Sequence, residues 1–133
     1  MNKPTHFIII DEDSINNMLC KYHLKHINRE IITESFLLAE LGLEFITNVF
    51  VNYPPENHAV ILLDINMPTW SGWDFLEHFD KLENSLKSRF KIYMLSSSVD
   101  EKDKQKAKEN SNLVEFMIKP FDDEKAIKIL SDY

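Results

Sequence analysis

Five short apolar runs set the strongest limit on what this chain can fold into: His6–Ile10, a weaker Glu30–Thr33, Val60–Leu63, Lys91–Leu95 and Leu113–Ile118. They are rich in β-branched residues and bounded by charged or turn residues, which suits strands buried on both faces, as in a parallel sheet. Stretches with helical spacing lie between them. Ile15, Met18, Leu19, Tyr22, His26 and Ile27 form one apolar stripe, Leu38, Leu41, Phe45 and Val49 a second, and Phe75, Leu76, Phe79 and Leu82 a third. A fourth helix, over 100–110, has almost no apolar face beyond Val99 and Ala107, and its acids precede its lysines, as the helix dipole favours. A last helix from Asp122 presents Ala126, Ile127 and Leu130. Strand and helix alternate five times with crossovers of roughly 20–30 residues, which predicts an α/β, doubly wound parallel sheet with helices on both faces. Pro54-Pro55 predicts a loop ahead of the third strand.

Bulk properties narrow the function. A chain of 133 residues suits one domain over 1–133, with no output domain after the last helix. The net charge of −7 argues against nucleic acid, whose binding rests on neutralising phosphates with Lys and Arg. The lysines of "KDKQKAKE" (102–109) are two apart, which scatters them around a helix as a solvated face. The single cysteine, Cys20, excludes an intrachain disulfide and a cysteine-based metal site, and reads as a small core residue. No apolar run is long enough for a membrane span or signal peptide, so a cytoplasmic protein without membrane partners is expected.

In an open parallel sheet, ligands bind outside the carboxyl ends of the strands. Asp11, Glu12 and Asp13 follow the first run, Asp64 the third, Ser96, Ser97 and Ser98 the fourth, and Lys119, Pro120 and Phe121 the fifth. Each has a plain structural reading: Asp13 as the N-cap of the first helix, a serine as turn chemistry, Lys119 as a solvated lysine. Those readings leave unexplained why acids, a hydroxyl and a lysine fall in order at one sheet edge. Clustered carboxylates repel, and oxygen ligands without His or Cys favour Mg²⁺, with Mn²⁺ as an alternative. A carboxylate can attack a phosphoryl group, and the charge that develops needs a cation, a lysine and a hydroxyl around it.

The segments "FIIIDED", "LLDINMPTWSG", "YMLSSS" and "FMIKPF" resemble the receiver (CheY-like) domain of bacterial two-component response regulators across essentially the whole chain. The resemblance implies a (βα)5 flavodoxin-like fold with strand order 2-1-3-4-5, and a signalling domain that is not an enzyme beyond its own phosphorylation and dephosphorylation. It makes Asp64 the phosphoacceptor, with Asp11, Glu12, Asp64 and the Asn66 backbone carbonyl as the metal site. Ser96 and Phe116 become switch residues, Lys119 the phosphoryl contact, Lys119-Pro120 a cis bond, and Asn66 and Ser98 positions that tune dephosphorylation. The implied partners are a sensor histidine kinase or phosphotransfer protein and a downstream protein target met by the fourth helix, fifth strand and fifth helix; homodimer formation on phosphorylation is left open. Glu12 stands where the family usually has Asp, the stretch before Asp64 is longer than usual, and Phe116 lacks the hydroxyl of the Tyr common there. Two other readings stay open. One is a receiver-like interaction domain with a vestigial acidic site. The other is a haloacid-dehalogenase-type phosphatase, which "IIIDEDSI" resembles, with Asp11 as nucleophile and Asp13 as acid; it leaves "DINMP" unexplained.

Overall fold

The structure is a computed structural model and describes residues 6–97 and 100–132. Five parallel strands form one sheet in the order β2-β1-β3-β4-β5: β1 His6–Ile10, β2 Ile32–Phe36, β3 Ala59–Leu63, β4 Phe90–Ser96 and β5 Leu113–Ile118. The helices are α1 Ser14–Ile27, α2 Ala39–Asn48, α3 Gly72–Asp80, α4 Asn84–Lys87, α5 Glu101–Glu109 and α6 Asp123–Ser131, with a single 3₁₀ turn at Phe50–Asn52. The doubly wound fold and its strand order agree with the sequence expectation.

Alternation along β1 and β3 builds a core on each side of the sheet. Ile8, Ile10, Ile61 and Leu63 face α2 and α3, where they meet Ile46, Phe75 and Phe79. Phe7, Ile9, Val60 and Leu62 face α1 and α6, where they meet Cys20, Leu24, Ala126 and Ile129. The β1–β3 pair occupies the middle of the sheet and is buried throughout. The edge strands β2 and β5 are only partly covered, so the expectation of strands buried on both faces fails for them. The second strand also lies later than Glu30–Thr33, because a half-exposed edge strand carries little apolar signal.

Three helices bury faces other than those their stripes predict. In α1, Ile15 (67% exposed), Met18 (70%) and Tyr22 (63%) look outward, while Asn16, Asn17, Cys20 and Leu24 are buried. The helix is seated by polar bonds to the end of β1 that periodicity does not register. In α2, Leu41 and Val49 are exposed and Ala39, Gly42 and Ile46 buried. A Cβ on Gly42 would lie 2.5 Å from Ile10 Cδ1, so this helix docks through its smallest residues. In α6, Ile127 is exposed and Ile129 takes the inward place. The third stripe holds for Phe75, Leu76 and Phe79, which α3 buries, while Leu82 lies past its end, partly buried against the same core; the helix starts with a capping box between Ser71 and Asp74. Short α4 and the 3₁₀ turn have no forerunner in the sequence reading, since elements of one turn carry no period.

Helix α5 buries no side chain. It lies against β5 and is tied to α3 as well: Trp73 Nε1 donates to Asp103 Oδ1 at 3.1 Å, and Lys106 Nζ lies 5.5 Å from the centre of the Trp73 ring. Isolated helices of this length are marginal in water, so α5 persists by these tethers and its N-cap, Asp100. Hydrogen exchange is therefore expected to be faster across α5 than across Cys20–Leu24 of α1; equal protection would show that α5 is held by more than its contacts to Trp73.

Candidate functional site

The order 2-1-3-4-5 reverses direction between β1 and β3, and the crevice at that switch point opens at their carboxyl ends. Asp11 leaves the end of β1 and Asp64 the end of β3, side by side because Ile10 and Leu63 are paired in register. The Asp64 N–H donates to the Ile10 carbonyl at 2.9 Å, carrying the β1–β3 ladder into the site. Both acids are buried, at 2% and 8% exposure.

Lys119, from the end of β5, reaches over them. Its Nζ is 2.7 Å from Asp11 Oδ2 and 3.6 Å from Asp64 Oδ1. The Lys119 N–H donates to the Ser96 carbonyl at 2.8 Å, so β4 and β5 fix where that side chain starts. The Lys119–Pro120 peptide is cis. Ser96 is itself 1% exposed, at the last position of β4. Asp11, Asp64 and Lys119 thus converge on one crevice, with Ser96 buried at the end of the adjoining strand.

Burial is the main reason the Asp64 carboxyl is pushed up from 3.8 to about 6; the Asp11 charge adds to it, while Lys119 and the Ile65 N–H, 2.9 Å from Asp64 Oδ1, work against it. For Lys119, burial opposes the charged form, but its bond to Asp11 and the charges of Asp11, Asp64 and Asp13 outweigh it and raise the ammonium pKa. Two carboxylates facing one ammonium leave an excess negative charge in a poorly solvated crevice. This donor set, oxygen only and already holding one cationic group, fits a hard divalent ion.

The remaining candidates lie around this centre. Glu12 and Asn66 are exposed at its mouth. Among the described residues no three His, Cys, Asp or Glu side chains are grouped to hold a metal. The residues that would face a cation are therefore Asp11 and Asp64, supplemented by backbone oxygen and water, which is an ordinary Mg²⁺ arrangement. Phe116 is half-buried and, with Lys104, Ala107, Lys108 and Leu113, lines a slot of about 260 Å³ between α5 and β5. Ser98 lies outside the described residues. Asp13 Oδ1 accepts from the Ile15 and Asn16 N–H groups, so this carboxylate caps α1, as its plain structural reading has it. Burial lifts the Cys20 thiol to about 12, so it stays protonated in the core.

Two residues, Asn16 and Asn17, escaped the sequence reading, and Gly72 entered it only as the last residue of "LLDINMPTWSG". Asn16 Nδ2 donates to Asp11 Oδ2 at 2.8 Å, and Asn17 Nδ2 to the Asp11 carbonyl at 3.1 Å. Their signal is two adjacent amides one helical turn past an acidic strand end. Gly72 packs against the backbone of the Asp64 loop: its N–H donates to the Ile65 carbonyl at 2.7 Å, and a Cβ there would lie 2.4 Å from the Asp64 carbonyl oxygen. Within the same loop Thr69 holds a positive φ of 63° and bonds through its hydroxyl to Glu40 at the start of α2.

Two outcomes follow. Gly72→Ala is expected to cost about 2 kcal/mol in chemical denaturation, since backbone must move to admit the methyl. Asp64 binds its proton more tightly folded than unfolded, so its contribution to stability falls as pH rises from 3.8 to about 6. Asp64→Asn should accordingly raise Tm at pH 7.5, at about 4 °C per kcal/mol gained, with the advantage shrinking as pH drops below that window. An unchanged or lower Tm at pH 7.5 would show that Asp64 is not under charge stress.

The response regulator receiver domain family model matches residues 7–131. Among solved structures, a two-component response regulator from Cytophaga hutchinsonii is 23% identical, with 98% of this chain and 96% of that one covered at a TM-score of 0.81. A response regulator receiver protein from Dyadobacter fermentans is 24% identical, with 96% and 95% covered at 0.82. The chemotaxis response regulator CheY4 of Vibrio cholerae is 19% identical, with 97% and 98% covered at 0.75. These likenesses establish the fold. No curated protein matches the chain. Among the described residues no helix is long and apolar enough to cross a membrane. The chain belongs to the response regulator receiver domain family of two-component systems.

Proposed function

We propose that this receiver domain accepts a phosphoryl group on Asp64 from a histidine kinase or phosphotransfer protein and uses it to alter the surface formed by α5, β5 and α6. The observation that carries the reading is the pair of buried acids, Asp11 and Asp64, at the sheet's switch point with Lys119 Nζ 2.7 Å from one and 3.6 Å from the other.

An Asp64 carboxylate oxygen attacks phosphorus in line with the bond to the donor. The new O–P bond forms as the P–N bond to the donor imidazole breaks, and the nitrogen keeps the electron pair and takes a proton from solvent. Lys119 turns from the acids to the transferred group, where its ammonium meets charge developing on the phosphoryl oxygens. The Ile65 N–H, already on Asp64 Oδ1, holds the acceptor in orientation. Mg²⁺, held by Asp11, Asp64 and the Asn66 carbonyl with Glu12 acting through water, would supply positive charge to those same oxygens. The Ser96 hydroxyl then moves toward the phosphoryl group, and Phe116 takes up the space this opens near β4 and β5. The α5 side is the compliant one, since that helix buries nothing. Asn66 and Ser98, two positions beyond the acceptor and the switch serine, are proposed to tune the approach of hydrolytic water.

The exposure of Glu12 favours one rival, a receiver fold whose acidic site has lost its chemistry. Incubation with acetyl phosphate, with and without Mg²⁺, followed by intact mass under acyl-phosphate-preserving conditions, separates the two. A single phosphoryl adduct that needs Mg²⁺ and is absent in Asp64→Asn is expected. No adduct, with a control acyl phosphate surviving the work-up, would favour the rival; an adduct retained in Asp64→Asn would move the acceptor elsewhere.

A further inference from the structure

Helix α1 exposes its apolar stripe and turns two amides inward, an arrangement that needs a reason. Asn16 and Asn17 are 6% and 5% exposed, and burying an amide is unfavourable unless it makes hydrogen bonds. Both amides reach Asp11, at different places. Asn16 Nδ2 donates to the side-chain oxygen Oδ2 at 2.8 Å, the same atom that Lys119 Nζ contacts at 2.7 Å. Asn17 Nδ2 donates to the main-chain carbonyl at 3.1 Å. The other carboxylate oxygen, Asp11 Oδ1, accepts from the Asp13 N–H at 2.8 Å.

These three donors on the carboxylate differ in kind. Lys119 is a long, mobile side chain that brings a full positive charge, and the proposed reaction draws it away. Asn16 is short, buried on a helix and neutral. It holds the carboxylate in place without cancelling the charge that an incoming cation would use.

We propose that Asn16 is a positioning residue for the acidic site, which keeps the Asp11 carboxylate turned toward Asp64 as a divalent-cation ligand once Lys119 has left it. The proposal rests on the reading of the site as a Mg²⁺-dependent phosphoacceptor. It also accounts for the seating of α1, since a helix turned to bury Ile15 and Met18 would carry Asn16 away from Asp11. Asn17 supplies an internal control, because it is equally buried and adjacent but bonds only to the backbone, its Oδ1 being buried without a partner among the described residues.

The test is calorimetric titration of the unphosphorylated chain with MgCl₂, together with Tm, for wild type, Asn16→Ala and Asn17→Ala. Removing an outer hydrogen bond from a metal ligand typically weakens metal binding by about 10–100-fold, and a loss of about tenfold is expected for Asn16→Ala. Asn17→Ala should lose Tm while binding Mg²⁺ within about twofold of wild type, since its partner is not a ligand atom. If Asn16→Ala does not fold, Asn16→Ser leaves a smaller void, and a loss of at least about threefold is expected, its hydroxyl being too short to replace the bond. Wild-type affinity in the folded Asn16 variant, or an equal loss in Asn17→Ala, overturns the proposal and leaves the phosphoacceptor reading standing. Absence of saturable Mg²⁺ binding by the wild type overturns both.

Discussion

Two carboxylates at the end of a sheet with an otherwise apolar centre, held by one lysine, are the interaction on which the arrangement depends. The paired strands β1 and β3 contribute nine apolar residues to the two cores, only His6 of the pair being polar, and their next residues are Asp11 and Asp64. Neither acid can move away from the other without undoing the strand pairing. The opposite edge of the sheet makes an instructive contrast. There Arg89, 7% exposed, donates to the carbonyls of Asn57, Tyr53 and Pro54 and lies 4.7 Å from the centre of the Phe50 ring. That cation is held by fixed dipoles and ties loop to core. The acidic edge keeps a surplus of negative charge, so one end of the sheet is closed structure and the other open to chemistry.

The local backbone sustains this surplus. Gly72 allows α3 to start directly against the carbonyl of Asp64, and Pro68, Thr69 and the capping box at Ser71 shape the loop between them. Thr69 occupies a left-handed conformation that a β-branched residue rarely adopts, and its hydroxyl bond to Glu40 fastens the loop to α2. Such a loop is specified from several sides, which fixes the backbone from which Asp64 projects.

How much of this was legible depends on which force placed each residue. Asp11, Asp64, Ser96 and Lys119 could be found because each ends an apolar run, and strand ends are where a parallel sheet opens. The faces of α1 and α2 could not. Hydrophobic periodicity assumes that apolar stripes point inward, whereas α1 is oriented by amides on Asp11, and α2 docks through Ala39 and Gly42 because these let it approach Ile10 most closely. The shift of β2 from Glu30–Thr33 to Ile32–Phe36 has a related cause: at an edge, backbone pairing rather than burial decides where a strand begins.

The bare underside of α5 has a consequence for how such a domain changes over generations. Residues that fill a core are restrained by their neighbours, and most substitutions there reduce stability. Lys102, Lys104 and Lys108 are under no such restraint, because no side chain of the helix is buried. A new pattern of charge on this surface can be tried with little effect on folding, provided Asp103 and Lys106 still meet Trp73. The acidic crevice can thus stay constant while the charge pattern over α5 diverges.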